Sequence, residues 1–326
     1  MYGHTYRTSQ MEELTTFLTS IGEEVEDAEE ECFLLFAQDI PSANLGFVDS
    51  RATSVDVTIH GQDYTIHQSP TLLSSSRAGG TTGAVLWKIT PLFAEWITNH
   101  QSNPLWQHSV LSTSSAVIEL GCGISGLIAL ALSPSITHYI ATDQEYVHRL
   151  LRENLDANTR TPKHAPRSKG NAKKPSKHGS KTAKSGPQPK VTFTSLDWET
   201  DDPAVLKDSI PGGSGADDGD KGFDVLLSCD CIYNEALVAP LVRTCADVCR
   251  LRPVYNPERE LGDDGKMPTV CVIAQQQRSP DVFEAWLRET LRLFRVWRVS
   301  DEVLGGKLAS GSGYLVHVLL LRQMDS

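Results

Sequence analysis

The fold of this chain is decided by the stretch Val117-Ile118-Glu119-Leu120-Gly121-Cys122-Gly123-Ile124-Ser125-Gly126. Its first four residues predict a strand, which runs directly into a Gly-x-Gly-x-x-Gly turn. A helix of small and apolar residues is predicted to follow at once, from Gly126 to Leu132. Glycine lets the backbone approach a ligand closely, and the helix begins where that ligand would lie. The stretch predicts a site for a nucleotide-containing cofactor, with a tight turn that binds nothing as the alternative.

From Ala116 onwards, predicted strands alternate with predicted helices. The strands are Ala116–Leu120, His138–Thr142, Val191–Ser195, Phe223–Cys229 and Thr269–Ala274. The helices are Gly126–Leu132, Gln144–Asn158, Ala236–Arg250 and Val282–Leu293. Two final β-rich runs, Phe294–Val299 and Tyr314–Leu321, predict a hairpin that adds an antiparallel strand. The predicted fold is α/β: a Rossmann-like, seven-stranded, mostly parallel sheet with helices on both faces.

The residues before this region predict an N-terminal extension, 1–82, ahead of a main domain, 83–326. A short helix near Met11 to Leu18 is followed by an acidic run from Glu23 to Glu31. Alternating apolar and polar residues on either side of 60–63 predict a β-hairpin. The main domain is expected to begin with a helix from Pro91 to about Asn99.

Two insertions interrupt the main domain. Residues 159–189 consist mainly of Lys, Ser, Gly and Pro, and because they offer little apolar surface to bury they are predicted to be disordered. Ten Lys or Arg residues and no acidic residue lie between Arg160 and Lys190, in a chain of net charge −11. The segment predicts a nuclear signal or an RNA-contacting arm, with a solvated linker as the alternative. The second insertion, 201–222, is acidic and rich in glycine.

The composition limits the class of protein. No run of about twenty apolar residues predicts a transmembrane helix, and the N-terminus lacks the apolar core of a signal peptide. Seven cysteines, mostly within apolar segments, favour reduced thiols and a cytoplasmic location, with the nucleus as a second compartment. No Cys-x-x-Cys pair occurs and no histidine stands at ligand spacing, so no metal site is predicted.

Two acidic residues distinguish between the candidate cofactors. Asp143 ends the second predicted strand, about twenty positions after the glycines, where a dinucleotide-binding fold places an acid for the ribose. Glu119, two residues before Gly121, would repel a pyrophosphate but attract an ammonium group. S-adenosylmethionine (AdoMet) has an ammonium, a sulfonium and a ribose diol but no phosphate. The charges favour AdoMet over NAD, and an NAD-dependent oxidoreductase remains the alternative.

Two further segments follow the third and fourth predicted strands. Leu196-Asp197-Trp198 offers an acidic acceptor and an indole near an adenine, although Trp198 could instead anchor its loop. Ser228-Cys229-Asp230-Cys231-Ile232-Tyr233 lies at the carboxyl edge of the sheet, where open α/β sheets bind ligands. The alternative for Asp230 is an N-cap of the next helix.

The chain resembles the seven-β-strand protein lysine methyltransferases, which carry an Asp-x-x-Tyr motif after the fourth strand. Asp230 to Tyr233 matches this motif, and Glu119 to Gly123 matches the first motif of the group. Gly83 to Trp87 and Leu196 to Trp198 match two further segments, so the resemblance spans about 83–321. Within the group, the layout is similar to the fungal ribosomal lysine methyltransferases. The long basic insertion departs from the compact pattern and leaves the substrate surface open.

The resemblance implies AdoMet as cofactor and a protein lysine as substrate, with a ribosomal protein as one candidate. Asp230 would accept a hydrogen bond from the ammonium of the lysine, and Tyr233 would orient the amine. The residues implied in cofactor binding are Trp87, Glu119, Gly121, Cys122, Gly123, Gly126, Asp143, Asp197, Trp198 and Cys229. A scaffold that binds AdoMet without transfer is the non-enzymatic alternative, and the sequence predicts no oligomeric state.

Overall fold

The computed structural model describes residues 2–38, 46–75, 81–159, 191–209, 222–255 and 267–323. The strands are β1 (Gly22–Val25), β2 (Ser54–Ile59), β3 (Gln62–His67), β4 (Ala116–Leu120), β5 (His138–Asp143), β6 (Val191–Ser195), β7 (Val225–Cys229), β8 (Val270–Gln276), β9 (Phe294–Val299) and β10 (Tyr314–Leu321). The α-helices are α1 (Tyr2–Ile21), α2 (Ala28–Phe36), α3 (Pro70–Leu73), α4 (Ile89–Ile97), α5 (Pro104–Gln107), α6 (Leu127–Leu132), α7 (His148–Thr159), α8 (Val238–Cys249), α9 (Pro280–Leu293) and α10 (Asp301–Leu304).

The main sheet has the order β1-β9-β10-β8-β7-β4-β5-β6. Strands β4 to β8 run parallel to one another, while β10 is antiparallel to both β8 and β9. This arrangement confirms the predicted Rossmann-like sheet with its antiparallel terminal strand. Parallel strands place their carboxyl ends along one edge, which is where such sheets bind ligands.

The sheet has eight strands, so the predicted number of seven is wrong. The additional strand, β1, lies in the acidic run and pairs antiparallel with β9. Its sequence, Gly-Glu-Glu-Val, has too few apolar residues to show alternation. Charge explains the pairing, because Glu24 receives hydrogen bonds at 2.6 Å from both the Nε and Nη2 atoms of Arg295. Arg298 forms a second ion pair with Glu23, at 3.3 Å.

Helices cover both faces of the sheet, as predicted. Along β4, Val117 packs into the apolar core beneath α1, α4 and α6, whereas Ile118 and Leu120 pack into the core beneath α2, α8 and α9. This alternation follows from the two-residue period of a strand. No helix in the described part of the chain has the length and apolar character needed to cross a membrane.

The predicted β-hairpin is β2–β3, and it packs against the main sheet through α7. Its two turn residues, His60 and Gly61, have φ values of 48° and 79°. Asn154 of α7 is completely buried and accepts a hydrogen bond from the backbone N–H of His67 at 2.8 Å. Its amide group donates to the carbonyl of Ile124 at 2.8 Å, so one side chain connects the hairpin to the glycine turn.

Several predicted boundaries shift by a few residues. Helix α4 begins at Ile89 rather than at Pro91, and α1 extends far beyond the predicted 11–18. Of the basic insertion 159–189, only Thr159 is described, and it ends α7. Of the acidic insertion, residues 203–209 form a 3-10 helix, and 210–221 lie outside the described residues. The division at residue 82 stays a prediction, although β1 belongs to the main sheet.

Candidate active site

A cavity of about 370 Å³ opens at the carboxyl ends of β4, β5 and β7. Eleven of the twelve predicted site residues line it: Trp87, Glu119, Gly121, Cys122, Gly123, Asp143, Asp197, Trp198, Cys229, Asp230 and Tyr233. The residues come from five separate stretches of sequence. The sheet topology brings them together because adjacent parallel strands end at the same edge.

Neighbouring atoms lie so close to the glycine turn that a side chain would collide with them. Gly121 has a φ of 72°, and a Cβ atom there would lie 2.4 Å from Sγ of Cys231. The backbone N–H groups of Gly121 and Cys122 both donate to the carbonyl of Thr142, at 2.9 and 3.0 Å. The turn is therefore tied to the end of β5, and any larger residue at position 121 would collide with the motif at the end of β7.

Gly126 is the one predicted site residue that does not line the cavity. It precedes α6 with a φ of 55°, and a Cβ atom there would lie 2.6 Å from Cδ1 of Leu151. Its small size lets α7 pack against the start of α6. The described geometry thus gives Gly126 a packing role and no support as a contact to a cofactor.

Asp143 holds the glycine turn and still faces the cavity. Its Oδ2 accepts a hydrogen bond from the N–H of Gly123 at 2.8 Å, and its Oδ1 accepts one from Gln144 at 2.7 Å. Burial raises the pKa of Asp143 to about 6, against the lowering effect of these two bonds. Each carboxylate oxygen can accept more than one hydrogen bond, so Asp143 keeps capacity for a hydroxyl of the ligand.

Glu119 is a buried acid at the base of the cavity. Its side chain accepts a hydrogen bond from the hydroxyl of Tyr139 at 2.6 Å, and the residue is only 3% exposed. Burial raises the pKa of Glu119 to about 7, with a smaller contribution from Asp143. A ligand cation beside this carboxyl group would favour its charged form. Sequence reasoning missed Tyr139, which lies on the neighbouring strand β5.

The loop after β6 contributes an indole and a carboxylate. Nε1 of Trp198 is buried and has no hydrogen-bond partner among the described residues. A buried donor without a partner is costly, so this N–H offers a place for an acceptor on a bound molecule. Oδ1 of Asp197 accepts from the N–H of Glu199 at 2.9 Å, which fixes the turn that carries both side chains.

Asp230 stands directly after β7, in the left-handed region at a φ of 63°. Its two oxygens accept hydrogen bonds from Nη1 and Nη2 of Arg278, at 2.7 and 2.5 Å. Asn234, and not Asp230, caps the helical segment that follows. Sequence reasoning missed Arg278, although it follows β8 and the carboxyl-edge argument that selected Asp230 applies to it equally.

Thr82 connects the two aromatic side chains at the rim of the cavity, Trp87 and Tyr233. The hydroxyl of Thr82 donates to Oη of Tyr233 at 3.0 Å, and its carbonyl accepts from Nε1 of Trp87 at 3.1 Å. Tyr233 is 37% exposed, so it lies where the cavity meets solvent. Thr82 was not predicted, because it precedes the recognised segment by a single residue.

The charges of the lining are of one sign. Five acidic residues contribute to it, Glu119, Asp143, Asp197, Glu199 and Asp230, and none of the described lining residues is Lys, Arg or His. Such a lining repels a pyrophosphate and attracts a cationic ligand. The described residues contain no group of three or more His, Cys, Asp or Glu placed to hold a metal ion.

The cysteines of the site are buried thiols. Burial raises the pKa of Cys122 and Cys229 well above its ordinary value, and raises that of Cys231 as well. Since the thiolate is the nucleophile, these groups are unreactive at neutral pH. The sulfur of Cys229 is therefore no candidate nucleophile, and a backbone contact to the cofactor just before Asp230 stays a prediction.

The chain is similar to several known proteins. A sequence model described as lysine methyltransferase matches residues 66–169, which include the glycine turn and Asp143. A protein of Schizosaccharomyces pombe named diaminohydroxyphosphoribosylamino-pyrimidine deaminase is 29% identical over 273 residues, 83% of this chain and 53% of that protein. The chain thus spans about half the length of that relative.

Two other relatives share one name, ribosomal lysine N-methyltransferase 5. The protein of Candida glabrata is 29% identical over 263 residues, which cover 71% of this chain and 70% of the relative. That of Zygosaccharomyces rouxii is 28% identical over 242 residues, which cover 70% of each. These matches confirm the resemblance to lysine methyltransferases that was inferred from the motifs.

Proposed function

We propose that this protein is an AdoMet-dependent protein-lysine N-methyltransferase. The observation that carries the proposal is the acid-lined cavity, whose rim bears the Asp230-x-x-Tyr233 motif. One position in the cavity suits a cationic donor, and a second, at the rim, suits an incoming amine. The match of residues 66–169 to a lysine methyltransferase sequence model supports the same activity.

The cavity fits AdoMet at three points. Glu119 would hold the ammonium of its amino-acid end, beside the backbone of Gly121 and Gly123. Asp143 would accept from the ribose hydroxyls, and the N–H of Trp198 would find its acceptor on the adenine. AdoMet supplies a methyl group on a sulfonium, and the residues of the chain bind and orient it. The pyrophosphate of NAD would find no Lys, Arg or His among the described residues that line the cavity.

Methyl transfer to an amine is an in-line displacement, so the contribution of the protein is mainly positioning. The attacking lysine must be neutral, whereas a free lysine has a pKa of about 10.4. A half-buried channel lowers this pKa, because desolvation disfavours the ammonium form. Tyr233 forms one wall of the channel, and burial raises the pKa of its hydroxyl, which stays protonated and able to donate.

We further propose a ribosomal protein as the substrate, supported by the name of the relatives from Candida glabrata and Zygosaccharomyces rouxii. The basic segment between Arg160 and Lys190 would add affinity for ribosomal RNA, because phosphate contacts supply sequence-independent attraction. A cytoplasmic location, with the nucleus as a second compartment, accords with this substrate.

The test is methyl transfer from labelled AdoMet. The protein is incubated with labelled AdoMet and ribosomal protein from a strain that lacks the enzyme, and the modified lysine is located by mass spectrometry. We expect label on a lysine side chain with the wild-type protein and none with Gly121→Val, whose side chain would collide with Cys231 and Trp198 at the cavity. AdoMet and NAD are titrated separately by calorimetry, and binding of NAD alone would contradict the proposal. AdoMet binding without transfer to any protein would favour the scaffold.

A further inference from the structure

Arg278 lies between two side chains that the proposed reaction uses. Its terminal nitrogens bind both oxygens of Asp230, and its Cζ atom lies 4.5 Å from the ring centroid of Trp87. The Asp230 side chain is 2% exposed and that of Arg278 is 23% exposed. The pair is held further by the N–H of Gln276, which donates to Oδ1 of Asp230 at 3.3 Å.

This pairing changes what an incoming lysine would meet. A buried carboxylate without a partner stabilises an ammonium and keeps it protonated, which opposes attack by the amine. With the guanidinium fixed to both oxygens, the carboxylate is neutralised before the lysine arrives. The carboxylate of Asp230 can then still accept a hydrogen bond and so orient an N–H group of the lysine. It no longer stabilises a full positive charge on the amine.

We infer that Arg278 is a positioning residue for methyl transfer, which fixes Asp230 and Trp87 and cancels the charge of Asp230 so that the lysine enters as a neutral amine. The inference rests on the proposed function. The ammonium first loses a proton to solvent. The lone pair on nitrogen then forms the N–C bond as the C–S bond breaks, and the electron pair of that bond stays on sulfur.

The other titratable groups near the pair are uncharged at neutral pH. They are Cys229 and Cys231 beside Asp230, Tyr233 in the same motif, and Tyr314 on β10. Burial raises the pKa of each of these groups. Glu119 and Asp143, with pKa values of about 7 and about 6, titrate deeper in the cavity and bear on the cofactor. Turnover at saturating AdoMet therefore isolates the contribution of Asp230 and Arg278.

The two charges give opposite expectations when they are removed singly. In Arg278→Met the unpaired carboxylate would stabilise the ammonium, and the acidic limb of the kcat–pH profile moves to higher pH. In Asp230→Asn the unpaired guanidinium would repel the ammonium, and the limb moves to lower pH. Shifts of about one pH unit are expected for charges in contact with the amine. The double variant, which removes both charges, returns the limb close to the wild-type position.

The test measures kcat against pH for the wild-type protein, these three variants and Arg278→Lys. The lysine variant keeps the charge but loses the two-nitrogen fork, so its limb stays in place while kcat falls. Calorimetry with AdoMet shows that each variant retains the cofactor site. Lower turnover in every variant with an unshifted limb would show that Arg278 is only structural and would overturn the inference.

A second measurement separates this inference from the proposed function. Labelled n-butylamine, a probe for the lysine side chain, is titrated by NMR in the presence of S-adenosylhomocysteine. The pKa of the bound probe is expected to be highest in Arg278→Met and lowest in Asp230→Asn. The same order without turnover would retain the inference about the charges and reject the activity. Equal values in all variants would reject the inference whether or not the wild-type protein transfers methyl groups.

Discussion

At the scale of single residues, Glu119 shows how a buried acid can bind a cofactor and sense pH. Burial raises its pKa to about 7, so Glu119 of the ligand-free protein exchanges its proton near neutral pH. An ammonium placed beside it would favour the carboxylate, so cofactor binding and loss of this proton are coupled. The hydroxyl of Tyr139 favours the charged form as well, since it donates to the carboxylate.

We expect AdoMet to bind more weakly as the pH falls below 7, with a loss that approaches about tenfold per pH unit for one coupled proton. Glu119→Gln should bind AdoMet more weakly at neutral pH, by about 1.5–3 kcal/mol for a charged hydrogen bond. The pH dependence contributed by this group should then disappear. Tyr139→Phe is the matched control. It removes the hydrogen bond that lowers the pKa of Glu119, so the pH dependence of AdoMet binding should move to higher pH. Calorimetric titrations across this range check both, and equal pH dependence in the wild-type protein and Glu119→Gln would contradict the assignment.

The titration of Glu119 also determines the direction in which the stability of the protein changes with pH. The pKa of Glu119 is about 7 in the folded protein, above the unfolded value of about 4.3. Its contribution to the free energy of unfolding is therefore present below about pH 4.3 and is lost as the pH rises to about 7. Relative to Glu119→Gln, the ligand-free wild-type protein should lose stability over this window, as urea titrations would show. A constant difference would mean that the pKa is not raised.

The residues that sequence reasoning found and missed differ in a physical way. Asp143 ends a strand and Asp230 directly follows one. Both belong to recognisable sequence motifs, so the sequence alone locates them. Tyr139 and Arg278 act on a neighbouring strand, so they become evident only when the pairing of strands is known. Gly126 lies within a motif, yet its size serves the packing of Leu151 and not the cavity.

At the scale of elements, the strands that alternate with helices were predictable, whereas β1 was not. The apolar runs of β4, β7 and β10 are buried on both faces, and their patterns are visible in the sequence. Strand β1 is held by ion pairs with Arg295 and Arg298, and its acidic residues resemble those of a loop. The connection between α7 and the β-hairpin likewise depends on single side chains, Asn154 and Asn158, which no sequence pattern marks.

Replacement of Asn154 by Ala should lower the free energy of unfolding by about 2–4 kcal/mol, because the buried carbonyl of Ile124 and the part-buried backbone groups of His67 lose their partner. Asn158→Ala is the matched control. Asn158 makes a similar pair of bonds to Thr65, at 2.9 and 3.0 Å, but in an exposed setting where water can replace it. Urea unfolding followed by circular dichroism compares the two. Equal losses would show that burial of Asn154 adds nothing.

At the scale of the whole molecule, charge is divided between an acidic body and one basic segment. A variant in which residues 160–189 are replaced by a Gly-Ser linker of equal length tests the role of that segment. We expect a higher KM for ribosomal substrate and a smaller salt dependence, since each lost phosphate contact lowers the slope of log affinity against log salt by about 0.7–0.9. AdoMet affinity should not change.

A second variant, with only the basic residues of the segment changed to Gln, separates charge from sequence and length. Methylation kinetics at several salt concentrations compare both variants with the wild-type protein. If all three proteins show the same KM and the same salt dependence, the segment is a linker, as the alternative interpretation of the sequence holds.

The position of β10 has a consequence for how the chain is synthesised. Among the described strands β10 comes last along the chain, at 314–321, yet it lies between β8 and β9, and β1 pairs with β9 at the edge of the sheet. Until residues 314–321 have been translated, β8 presents an open edge and both β9 and β1 lack a connection to the sheet. A nascent chain therefore exposes a hydrogen-bonding edge that can pair with other chains. Completion of the sheet must wait for β10, so a chain that stops before residue 314 loses the attachment of β1 as well as β10 itself.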